Sequence, residues 1–152
     1  MQVVPLGVED DLFTQEVLPL DLIDRGTGKL LREKYKNIII SVLEVTNRKN
    51  IEGLLKLYYS TVKDGGTCLI LKCSNYSYQN RIEDVIEKVK FEVRLSEGIT
   101  DFPSVYIYKQ ILPVYLMDSF LAIGTHYLSM SLAEGWDLPA LEMVALGKIL
   151  VV

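Results

Sequence analysis

The chain has 152 residues, 49% hydrophobic and 24% charged, which is enough apolar material to bury a core and excludes a disordered chain. A net charge of -4 argues against a general nucleic-acid binder, which carries a basic excess, yet leaves room for a small anionic ligand held by local donors. No apolar run approaches the roughly 18 residues of a membrane span, and the first residues lack the basic start and long apolar core of a signal peptide.

Residues 1–22 hold short apolar pieces broken by Pro5, Gly7 and Pro19 and read as an irregular lead-in. Asp24-Arg25-Gly26-Thr27-Gly28 is a turn, and the charged patch Arg32-Glu33-Lys34 leads into the first strand, 38–43. That strand, Ile-Ile-Ile-Ser-Val-Leu, is almost continuously apolar, as a strand buried on both faces requires. A polar stretch, 44–50, is followed by Ile51, Leu54, Leu55, Tyr58, Tyr59 and Val62, whose spacing predicts an amphipathic helix closed by Asp64-Gly65-Gly66.

Cys68-Leu69-Ile70-Leu71 is the second strand. Cys68 and Cys73 lie five apart on it and point to opposite faces, so they make poor disulfide partners; buried inert thiols and a reducing, cytoplasmic compartment follow. A polar loop over 74–80 precedes a second amphipathic helix carrying Ile82, Val85, Ile86, Val89 and Val93. Val105–Tyr108 is a third strand, Pro113 suits the first turn of a helix reaching about Phe120, and 127–130 is a short fourth strand. A helix over about 138–146, stopped by Gly147, and a strand over 149–152 complete the chain. This alternation predicts an α/β, Rossmann-like parallel sheet with helices on both faces, whose ligands bind beyond the carboxyl ends of the strands. Most tyrosines, including Tyr58, Tyr59, Tyr106, Tyr108, Tyr115 and Tyr127, read as packing residues, as does His126. Because the chain stops within an apolar strand, it reads as a fragment of a larger protein.

Two loops fall where a ligand is expected, 44–50 and 131–138. Pro139 suits the first position of a helix, with Leu138 near its cap, so residues 134–138 lead the chain to a helix start. Such a start offers unpaired N–H groups and a positive dipole end to a phosphate. Gly135 leaves the backbone open to an anion or a sugar. Glu134 lies just outside the helix and Glu142 one turn inside it, eight positions on, so the two carboxylates can bracket a ligand and accept hydrogen bonds from sugar diols.

The stretch EGWDLPALEMVALGK, with its Glu-x7-Glu spacing, resembles the signature of retaining glycosyltransferases of the GT-B fold, in the large "group 1" family, close to E-G-[FW]-x-L-P-x-x-E-x-x-A-x-G-K-P-V. Val4-Pro5-Leu6-Gly7-Val8 resembles the loop that opens the family's C-terminal domain, and residues 41–55, with Arg48-Lys49-Asn50, resemble its basic motif. The resemblance implies one half of a GT-B fold: a single nucleotide-sugar-binding domain over 1–152 whose acceptor domain precedes it. Glu134 would hold the donor sugar and Glu142 the ribose. Backbone amides near Trp136, Asp137 and Leu138 would meet sugar and diphosphate, and Arg48 and Lys49 would neutralise the leaving group. It implies transfer of a hexose-type sugar from a UDP- or GDP-linked donor to a glycan, lipid or protein acceptor, with no metal and no other cofactor. The missing domain would supply any peripheral attachment to a membrane. The chain departs from the pattern at Leu6, Met130 and Ile149, and at Glu44, where many members carry an arginine. These departures keep open a non-catalytic, partner-binding relative of the same fold; a different nucleotide-using doubly wound enzyme, such as an epimerase, is the third reading.

Overall fold

Strand β1 (Asn37–Glu44) sits at the centre of a five-stranded, fully parallel sheet of order β3-β2-β1-β4-β5. The computed structural model describes residues 7–8, 10–14, 16–74 and 81–152; residues 4–6 of the opening loop, and Tyr76 and Tyr78, lie outside these. Around β1 stand β2 (Thr67–Ser74), β3 (Ser104–Tyr108), β4 (His126–Leu128) and β5 (Ile149–Val151). The side chains of β1 alternate between two cores, as the two-residue strand period demands. Ile38 and Ile40 enter one, and Leu43 enters the other.

The helices divide between the faces accordingly. Helices α3 (Ile51–Thr61) and α4 (Ile82–Glu97) bury Leu54, Leu55, Tyr58, Tyr59, Ile82, Val89 and Val93 against Leu43, Leu69 and Leu71. On the opposite face, α5 (Val114–Ala122) and α6 (Leu138–Ala145) bury Phe120, Leu121, Ala140 and Met143 against Ile38, Ile40 and Ile70. Cys68 and Cys73 are free and fully buried in opposite cores, and burial pushes the Cys68 thiol up to about 12. No helix among the described residues is long and apolar enough to cross a membrane.

Several elements differ from the sequence-based reading. Single helical turns form at α1 (Asp11–Thr14) and α2 (Leu31–Lys34). The second lies within the charged patch and is anchored by buried Leu31, while its polar neighbours face outward. The expected turn at 24–28 is present: Asp24 accepts hydrogen bonds from the Thr27 hydroxyl (2.7 Å) and the Lys34 ammonium (2.6 Å). These partners hold its carboxyl at about 2. Gly28 takes the positive φ of 71° that closes the turn. Strand β2 runs three residues beyond Leu71, whereas β4 ends at Leu128, two residues early. Tyr115 is exposed (76%) at the start of α5 and is not a packing residue.

Thr125 fixes β4 against β1. Its hydroxyl accepts the Ile38 N–H (2.9 Å), and its own N–H donates to the Ile38 carbonyl (2.8 Å). Thr125→Val keeps the shape and strands the Ile38 N–H, at an expected cost of about 1–3 kcal/mol. Urea unfolding of the two proteins measures it; equal midpoints would show that this contact does not anchor the strand.

Candidate functional site

The order of the strands opens a crevice between β1 and β4. The chain leaves β1 toward α3 on one face of the sheet and leaves β4 toward α6 on the other, so the two loops part at the carboxyl ends. A cleft of about 420 Å³ lies there. Val42, Leu43 and Glu44 of β1 form its floor, with Lys72 of β2 beside them. Arg48 and Lys49 line it from one loop; Glu134, Trp136, Asp137, Leu138 and Pro139 line it from the other.

The loop after β1 tightens into a single 3-10 turn, Asn47–Lys49, and Asn50 takes a left-handed conformation (φ 47°) that re-aims the chain into α3. This turn presents two cations to the opposite loop. Arg48 donates to the Ala133 carbonyl (2.8 Å) and to Glu134 Oε2 (2.9 Å), and its own carbonyl accepts the Leu132 N–H (2.8 Å). Lys49 and the Ser131 hydroxyl (2.6 Å) both donate to Glu134 Oε1. The Lys49 side chain is only 13% exposed, against 45% for Arg48, so Lys49 is the better desolvated partner. Burial by itself raises the Glu134 carboxyl, but Lys49, Ser131 and Arg48 more than offset it and hold the group at about 2. The structure therefore brings together Arg48, Lys49 and Glu134, three of the residues singled out in the sequence.

The remaining sequence candidates are placed less uniformly. Asp137, not Leu138, precedes the helix; Leu138 is its first residue and Pro139 its second. Asp137 adopts a left-handed backbone (φ 45°), and its carboxylate accepts the hydroxyl of buried Tyr127 (3.0 Å) instead of capping a helix N–H. Trp136 is half-exposed. A side chain at Gly135 would meet no protein atom within 4 Å, so the glycine faces open space. Glu142 does not line the cleft. It is half-buried in α6, where desolvation and the neighbouring Asp118 of α5 raise its carboxyl above the ordinary range. His126 bonds Thr125 through Nδ1 (2.8 Å), outside the cleft.

Lys72 is a charged cleft residue that sequence reading did not single out. Its signal was a lone cation between apolar Leu71 and Cys73, near the carboxyl end of a parallel strand, the end at which ligands bind in such sheets. With it the cleft holds three cations, Arg48, Lys49 and Lys72, and three carboxylates, Glu44, Glu134 and Asp137.

No family model matches the chain, and no curated protein matches it in sequence. Solved structures do match. The E. coli trehalose-6-phosphate protein bound with UDP-2-fluoro glucose superposes with a TM-score of 0.66 at 17% identity, covering 95% of this chain and 34% of that one. The chain carries the fold of one half of a GT-B glycosyltransferase. A trehalose-6-phosphate synthase studied with bisubstrate glycomimetics for glycosyl transfer with retention gives 0.64 at 18% identity, over 95% of this chain and 34% of its own. The UDP-forming α,α-trehalose-phosphate synthase of Burkholderia xenovorans, in complex with glucose-6-phosphate, gives 0.57 at 14% identity, over 76% and 27%. The chain thus spans about a third of the length of the solved structures it matches.

Because the Glu134 carboxyl falls from its ordinary 4.5 to about 2 on folding, its stabilisation is complete above pH 4.5 and is lost as pH drops toward 2. Glu134→Gln should flatten the pH dependence of stability in that window, while Asp24 continues to titrate in both proteins. Urea unfolding at stepped pH reads the difference; equal slopes would show that the bridge adds nothing to stability.

Proposed function

We propose that the chain is the donor-binding domain of a retaining glycosyltransferase that takes a hexose-type sugar from a UDP- or GDP-linked donor without a metal. The observation that carries this reading is the Arg48–Lys49–Glu134 cluster at the carboxyl ends of β1 and β4, beside the start of α6. The fold neighbours lend support, one being bound with UDP-2-fluoro glucose and another studied for transfer with retention. In this reading Arg48 and Lys49 neutralise the diphosphate as charge develops on the leaving group. Glu134 accepts hydroxyl hydrogens of the donor sugar, and the backbone from Gly135 to Leu138 lies along sugar and phosphates. Glu142 meets the ribose: a half-buried carboxylate one turn inside α6 gains from hydroxyl donors. The acceptor, whether glycan, lipid or protein, is bound by a further N-terminal domain, which also makes any contact with a membrane. The complete enzyme works in the cytoplasm, and this chain alone binds nucleotide weakly and transfers nothing.

One observation favours a second reading, a non-catalytic domain of the same fold that binds a partner. Glu44 lines the cleft and balances its charge, which weakens attraction for a diphosphate.

Calorimetric titration with UDP, GDP and their hexose conjugates decides between them. The catalytic reading expects binding, weakened by Lys49→Met. It also expects Glu142→Ala, in the protein together with its acceptor domain, to lower transfer tenfold or more, since a charge-assisted contact is worth about 1.5–3 kcal/mol. Absence of binding to every one of these ligands would sink the catalytic reading, and unchanged cellular function of Glu142→Ala would favour the second.

A further inference from the structure

Lys72 differs from the other cations of the cleft. Arg48 and Lys49 are both committed to Glu134, whereas Lys72 makes no ion pair among the described residues. Its ammonium donates to the Gln110 carbonyl (3.0 Å) and stands 5.7 Å from the centre of the Tyr108 ring. Burial lowers its amine below the ordinary range. An ammonium in that position is held by neutral partners alone, and a bound anion would satisfy it better.

The sheet register relates Lys72 to Glu44. Lys72 is the partner of Val42 across β1 and β2, and Glu44 lies two residues further along β1, so the strand period puts all three on one face of the sheet. That face is the one packed by α5 and α6, since Cys68 and Ile70 of β2 point into the same core. Without Lys72 the cleft would hold two cations already engaged by Glu134, together with the carboxylates of Glu44 and Asp137. Its balance would then be negative, and an anionic ligand would be repelled.

We propose that Lys72 is a phosphate-binding residue of this cleft, the cation on β2 that offsets Glu44 on β1 and receives the diphosphate of the ligand. The proposal rests on the nucleotide-sugar reading above and adds to it a specific residue. Titration calorimetry of the protein with UDP, GDP and inorganic pyrophosphate tests it, using Lys72→Met and Lys72→Gln, each checked for native melting. Removing the charge should weaken the ligands that bind by roughly tenfold. Lys72→Arg should stay within about threefold of the native protein. Adding Glu44→Arg to Lys72→Met should recover most of the loss, because the positive charge returns to the same face on the adjoining strand. Affinities of the folded Lys72→Met or Lys72→Gln protein within about twofold of native would overturn the proposal. Pyrophosphate binding that depends on Lys72, with no nucleotide binding, would uphold the role of Lys72 and sink the nucleotide reading. Binding of none of the three ligands would sink both.

Discussion

The order of the strands is the constraint on which the site depends. A parallel strand joined to its neighbour through a helix must cross over on one hand only. With β2 and β3 laid to one side of β1 and β4 and β5 to the other, helices α3 and α4 cover one face and α5 and α6 the opposite one. The loops after β1 and β4 therefore start side by side and touch before they lead to helices on opposite faces. This geometry brings the residue pair 48–49 to Glu134, across some 85 positions of sequence. No local propensity could do so. Contacts such as Thr125 to Ile38, which set β4 beside β1, support the site from the opposite, amino ends of the strands.

Within the crevice, electrostatics rather than packing decides the arrangement. A nearly buried ammonium such as Lys49 cannot be left without a counterion, and Glu134 supplies one. The price is that the carboxylate occupies the cations that a diphosphate would need, so an anionic ligand must share or exchange these partners. The Ser131 hydroxyl holds Glu134 from within its own loop, and the Leu132 N–H to Arg48 carbonyl bond ties the two loops together. Balanced charge also means that affinity must come from placement of donors and not from a general positive field.

How much of this was legible in the sequence depended on periodicity. The run 38–43 declared a doubly buried strand because nothing polar but Ser41 interrupts it, and Ser41 is itself buried. Helix 51–61 declared itself through spacing. The turn at 31–34 did not, because three of its four residues are charged and only Leu31 reaches the core. Pro139 read as the first helical residue and is the second, because proline at either position is compatible with the same letters; the cap is Asp137, next to Leu138, and its carboxylate is drawn away by Tyr127. Lys72 was hidden for a different reason. A strand that ends at a ligand cleft changes from apolar to polar at its last residues, and a single lysine there looks like the ordinary end of a strand.

The two glutamates that stand eight apart end in opposite environments, and this separation is the most informative feature of the site. Three donors hold Glu134 ionised far below the ordinary carboxylate range. Glu142 moves the other way, because burial between α5 and α6 disfavours its charge and Asp118 stands near it, itself raised by burial. Titratable groups whose surroundings push them apart are suited to different tasks. Glu134 is a fixed acceptor, already satisfied, that can trade one set of donors for another. Glu142 is a carboxylate whose charged form lacks compensation, so it gains more from a ligand that brings hydroxyl donors to it. In the proposed reading this places the discriminating contact with the nucleotide at Glu142, outside the present lining of the cleft, and the charge-handling contact at Glu134. The helix start between them fixes the distance that a ligand must span to reach both.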